Sequence, residues 1–303
     1  MAAPSPSSAS PAAPLRFELP SGITIAADAF GNPDAQPVIF LHGGGQTRHA
    51  WGSTAEELGA LGFYAISMDH RGHGDSSWDP NGNYSIDAFV SDLLGVIEEV
   101  GAPPVLVGAS IGGITALMAE TQSDRSIAKG LVLVDVTPRM EKRGVLRIFD
   151  FMKGSSDGFE SLEAAADAVA SYLPHRQRPK DLSGLNKNLR LSEDGRYRWH
   201  WDPKMLKAWD PDGYTEEDGE RVMKERSKAS QRLTIPTLLV RGRMSDVVTE
   251  AQARQFLDLV PHAEYVDLEG ASHMVAGDKN DVFTESVSHF IRKHFKASLA
   301  SRK

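Results

Sequence analysis

At 303 residues, 41% hydrophobic and 24% charged, the chain is long enough to bury a substantial core and has the composition of an ordinary globular protein. Its formal charge of -8 is not broken by any long basic block, which argues against nucleic acid as the main partner, because phosphate binding needs a clustered basic face. The lack of cysteine excludes disulfides, thiolate catalysis and cysteine-ligated metals.

Residues 1–14, MAAPSPSSASPAAP, are rich in Pro, Ala and Ser and read as a disordered tail. No basic residue precedes Arg16 and no apolar stretch is present there, so the segment does not read as a secretory signal. No apolar run approaches the roughly 20 residues needed to span a bilayer. The expectation is a cytoplasmic protein with no membrane partner.

Short apolar runs then alternate with helical stretches. Residues 15–19 and 23–30 predict two strands joined by the Pro20-Ser21-Gly22 turn. VIFL at 38–41 runs into His42 and three glycines, and helix is expected over 53–61. The run at 64–68 ends in Asp69. A helix over 85–100 follows, with Ser85 as N-cap and Gly101 as its stop. VLV at 105–107 precedes a helix over 111–121, and residues 131–134 end in Asp135. The runs at 237–240 and 265–268 alternate with helices over 250–259 and 282–296. Unalternated runs rich in Val, Ile and Leu suit strands buried on both faces of a parallel sheet, and strand–helix alternation means an α/β fold.

The alternation breaks between Thr137 and about Gln231. That stretch reads as helices, 159–173 and 216–230 among them, around the aromatic segment Arg196-Tyr197-Arg198-Trp199-His200-Trp201. The expected division is a core over 15–136, a helical cap over 137–233 and a second core part over 234–303.

Gly108-Ala109-Ser110-Ile111-Gly112-Gly113 is G-x-S-x-G between a strand and a helix, the context in which a sharp turn exposes a nucleophilic serine. The helix that follows points its N-terminal N–H groups at developing negative charge. A tetrahedral intermediate needs two N–H donors, expected from Ile111 and from Gly44 in the glycine run after the third strand. For the base, His273 directly follows the last strand, at the sheet end where open α/β folds build their sites. His289 and His294 fall in the final helix, and His262 lies at the wrong end of the sheet. For the acid, Asp246 in Arg241-Gly242-Arg243-Met244-Ser245-Asp246 follows the preceding strand and fits the order serine, acid, histidine. Asp135, at the end of the sixth strand, is its competitor.

Together these residues resemble the α/β-hydrolase superfamily over about residues 17–295. Asp69-His70-Arg71-Gly72-His73-Gly74-Asp75-Ser76 looks like the D-x-R-G-x-G-x-S turn of the branch holding esterases, epoxide hydrolases, haloalkane dehalogenases and cofactor-free haloperoxidases. The resemblance implies an α/β-hydrolase fold, a mostly parallel eight-stranded sheet with a helical cap after the sixth strand. It makes Asp69 and Arg71 structural and His70 and His73 poor catalytic candidates. The relatives that open epoxides or displace halide use an aspartate at the elbow. Ser110 instead favours acyl transfer.

The reading is a serine hydrolase acting on a small, apolar carboxylic ester, with catalytic Ser110, Asp246 and His273 and an oxyanion hole at Gly44 and Ile111. No cofactor or metal is required. Trp199, Trp201 and Trp209, with Tyr172 and Tyr197, would make the pocket aromatic. The same triad also serves lactone opening, perhydrolysis and carbon–carbon bond hydrolysis, and a hydrolase scaffold can serve as a non-enzymatic ligand receptor.

Overall fold

The computed structural model describes residues 13–173, 178, 180–210, 213, 215–273 and 281–296. An eight-stranded sheet carries the order β1(Ala13–Glu18), β2(Thr24–Phe30), β4(Tyr64–Met68), β3(Pro37–Leu41), β5(Val105–Ala109), β6(Gly130–Val134), β9(Thr237–Gly242), β10(Glu264–Leu268). β2 pairs antiparallel with β1 and β4, and all other pairings are parallel. Every residue of β3, β5, β6 and β9 is buried, as their continuous apolar runs require.

Successive side chains point to opposite faces of the sheet. Ile39, Leu41, Leu106, Leu131, Leu133 and Leu239 enter one core, shared with α2(Ile86–Val100), α3(Ile111–Gln122) and α8(Glu250–Leu259). Val38, Phe40, Val105, Val107, Val132 and Val240 enter the other, against α1(Gly52–Ala60) and α9(Asp281–His294). Burying both faces is the main stabilising contribution in such a fold. The helix ends follow local chemistry. Ser85 Oγ accepts the Ala88 N–H at the start of α2, and Gly101 ends that helix at φ 75°.

Two expectations change. The tail was expected to end at residue 14. Residues 1–12 lie outside the described residues, but Ala13 and Pro14 already belong to β1, paired with Ala29 and Asp28. Between β6 and β9 stand α4(Lys142–Gly154), α5(Leu162–Tyr172), α6(Lys204–Ala208) and α7(Glu216–Gln231). They are joined by a short antiparallel hairpin, β7(Leu189–Leu191) with β8(Tyr197–Trp199), where only helices and loops were expected. Among the described residues, no helix is long and apolar enough to cross a membrane.

Candidate active site

Ser110 sits between β5 and α3 with φ 49° and ψ -117°, a conformation L-residues rarely adopt. Its surroundings enforce this turn. A Cβ on Gly108 would lie 2.5 Å from Gly112 and Gly113 backbone atoms, and one on Gly112 would lie 2.4 Å from the Leu41 carbonyl oxygen. A Cβ on Gly113 would meet Val136 at 2.5 Å. The three glycines therefore let the elbow press onto the ends of β3 and β6.

The loop after β3 is held by two buried histidines. His42 Nε2 accepts the His70 N–H at 3.0 Å, which leaves Nδ1–H to donate to the Gly43 carbonyl at 2.8 Å. His73 Nε2 accepts the Gly45 N–H at 3.1 Å. Burial pushes His42 down to about 4 and His73 down to about 3, so both rings are neutral. The Gly43 N–H donates to Gln46 Oε1 at 2.9 Å. Among the described residues, Gly44 is thus the one glycine of the three whose amide is left unengaged.

The DHRGHGDS turn supports this loop from below. The Asp69 carboxylate accepts the backbone N–H groups of Arg48 (2.6 Å) and Asp75 (3.0 Å) and pairs with the Arg48 guanidinium. Arg71 grips Asp92 of α2 in a buried two-point pair at 2.6 Å per bond. These are the turn-shaping roles expected of Asp69 and Arg71.

The structure brings His273 to Asp135, not to Asp246. His273 Nδ1 lies 2.6 Å from Asp135 Oδ2. Asp135 is fully buried at the end of β6, and like Ser110 it has positive φ, 48°. Its other oxygen accepts the Gly242 N–H at 3.1 Å, and Ser245 Oγ donates to Oδ2 at 2.5 Å. Asp246 points elsewhere. Its carboxylate is 41% exposed and pairs with Arg147 of α4 at 2.9 Å. The physical reason is sheet adjacency. β6 and β9 are neighbours in parallel register, so the residue that ends β6 reaches the end of β9 directly. Asp246, farther along the loop, packs its backbone against Gly144, where a Cβ would lie 2.1 Å from the Asp246 carbonyl oxygen. Ser245 and Gly242 were not singled out from the sequence. The signal available was a hydroxyl beside the chosen acid, in a loop that must meet the last strand.

Ser110, Ile111, Gly44 and His273 line one cleft of about 2140 Å³. Trp199, Trp201 and Trp209 line it too, with Tyr172, but they differ in environment. Trp209 stacks on His73 at 6.2 Å, donates Nε1–H to the Tyr84 carbonyl, and lies against Gly44. Trp199 donates to Ser155 Oγ at 2.8 Å. Trp201 is 3% exposed and packs with Tyr84, Phe89, Met152 and Met205. Tyr197, which was expected to join them, starts the hairpin strand β8 and does not line the cleft. Among the described residues, no group of three His, Cys, Asp or Glu is arranged to hold a metal ion.

Residues 36–279 match the family model described as the alpha/beta hydrolase fold. The chain is 30% identical over 269 residues to an esterase of Mycobacterium tuberculosis, spanning 84% of this chain and 82% of that protein. It is 26% identical over 278 residues to an sn-1-specific diacylglycerol lipase of Mus musculus, spanning 86% of this chain and 82% of the lipase. A solved structure of the M. tuberculosis esterase aligns with a TM-score of 0.71 at 28% identity, over 93% of this chain and 92% of the esterase. With the elbow, the glycine loop and the strand order pointing the same way, the chain belongs to the α/β-hydrolase family.

Proposed function

We propose that the protein is a serine hydrolase that cleaves carboxylic esters through an acyl-enzyme, with Ser110 as nucleophile, His273 as base and Asp135 as the acid that orients the imidazole. The observation that carries this reading is the 2.6 Å contact of His273 Nδ1 with the buried Asp135 carboxylate, in a cleft that Ser110 shares. A carboxylate on Nδ1–H leaves the free lone pair of the ring on Nε2, which is the atom that takes the serine proton in this reading. Ser110 Oγ then attacks the ester carbonyl, and the Gly44 and Ile111 amides receive the oxyanion. His273 returns the proton to the leaving alkoxide and activates water for deacylation. Every step uses side chains and backbone of this chain, and no metal or cofactor enters.

Residues 137–233 act as a cap that supplies the apolar wall of the cleft, through Met152, Trp199 and Trp209 among others. The esterase and lipase names of the relatives support an ester substrate. The test is turnover of a series of p-nitrophenyl esters of increasing acyl length, with Ser110→Ala as control. Turnover in the parent and none in the variant is expected. Equal rates in both would reject the proposal.

A further inference from the structure

The hydroxyl of Ser245 has one donor and two acceptor sites, and all three are committed. It accepts the N–H of Val247 and the N–H of Val248, each at 3.1 Å. With both acceptor sites filled by backbone, the proton is directed along the remaining direction, onto Asp135 Oδ2 at 2.5 Å. That is the oxygen His273 Nδ1 approaches at 2.6 Å. Gly242 N–H holds Oδ1 at 3.1 Å. The carboxylate therefore has three donors in fixed directions, and the orientation it adopts serves all of them.

We propose that Ser245 is a positioning residue for the reaction: it fixes the Asp135 carboxylate toward His273 and, by sharing Oδ2, limits how strongly that carboxylate holds the imidazole proton. The inference rests on Asp135 being the acid of the triad. A hydrogen bond from a neighbouring hydroxyl draws electron density from a carboxylate oxygen, so its loss leaves more of that density for the imidazolium. Removing the hydroxyl thus stabilises the protonated form of His273 and frees the carboxylate to rotate.

The test compares Ser245→Ala, Ser245→Cys and Ser245→Thr in the full chain. In Ser245→Ala, kcat/KM falls by about 10- to 100-fold, the size of a lost hydrogen bond to a charged group. The acid limb of its pH profile moves to higher pH by about half a unit or more. Ser245→Cys, whose thiol is a weak donor, moves the limb the same way and serves if the alanine variant does not fold. Ser245→Thr restores both rate and limb. A loop-only role predicts a lower melting temperature with the limb unmoved in the alanine and cysteine variants, and that result overturns the proposal. The low-field proton NMR signal of His273 Nδ1–H, assigned by its loss in Asp135→Asn, reads the same pair without substrate. Its pH midpoint rises in Ser245→Ala if Ser245 acts as proposed, whether or not any ester is turned over. If Asp135→Asn is fully active instead, the triad assignment itself has failed.

Discussion

Exchanging Asp135 for Asn separates the two candidate acids. The carboxylate accepts three donors: Ser245 O–H and His273 Nδ1–H on Oδ2, and Gly242 N–H on Oδ1. An asparagine has one oxygen and one NH2, so one side must fail. With the oxygen facing His273, the NH2 opposes the Gly242 N–H in a site closed to solvent, at about 1–3 kcal/mol. With the NH2 facing His273, the ring must accept on Nδ1 and carry its proton on Nε2, where it cannot take the serine proton. Either way the negative charge that stabilises the imidazolium is gone. The corresponding change in a serine protease triad lowers kcat by roughly 10⁴-fold, about 5.5 kcal/mol in the barrier, and a loss of that order is expected here. Asp246→Asn removes a pair whose side chains are 49% and 41% exposed. Such pairs contribute no more than about 1 kcal/mol, and kcat should stay within about twofold. The assay is kcat for a short p-nitrophenyl ester, with circular dichroism to confirm the fold. A large loss in Asp246→Asn beside a mild one in Asp135→Asn would refute the reasoning.

Acid should unfold the protein early, because burial holds His42 near 4 and His73 near 3, while the unfolded chain binds these protons near 6.5. The unfolded state then carries more protons below about 6.5, so stability falls as pH drops from there toward about 4, by about 1.4 kcal/mol per pH unit for each histidine. Urea unfolding at pH 7 and pH 5 measures this, and a His73→Phe variant should show a flatter dependence. At Gly44 a Cβ would come 3.1 Å from the Trp209 ring, which need give way by only a few tenths of an ångström, so Gly44→Ala should retain most activity. Gly44→Pro, which removes the amide, should lose about 10²–10³-fold in kcat for a short ester. Trp209→Ala should raise KM for long acyl chains more than it lowers kcat for acetate, the mark of lost binding contacts. Trp201→Ala instead opens a packed cluster and should lower stability by about 3–5 kcal/mol, read as a lower urea midpoint.

The core of the fold was legible because the central strands are apolar runs, broken only by Ser67 in β4, and the residues that follow β3, β4, β5 and β6 are His42, Asp69, Ser110 and Asp135, around which the candidate site is built. The elbow was legible because glycines cluster where backbone must touch backbone. The acid was not. Asp135 and Asp246 both lie between Ser110 and His273 and both follow strands, so chain order admits either. What decides is β6 lying beside β9, together with a backbone at φ 48° that turns the Asp135 carboxylate toward the β9 end. Neither is written in local sequence. The hairpin at 189–199 was hidden because each strand has three residues, too few for a period to emerge. Ala13 and Pro14 join β1 because β2 offers partners at Ala29 and Asp28, a long-range fact that composition does not carry.

The central claim is that Ser110 is an activated nucleophile. Incubating the protein with a fluorophosphonate and mapping the adduct by mass spectrometry tests it most directly, since phosphorus is attacked readily only by an activated serine. The account predicts one covalent adduct, on Ser110, lost in Ser110→Ala and formed far more slowly in Asp135→Asn. An adduct on another serine, or none on folded protein, would contradict it.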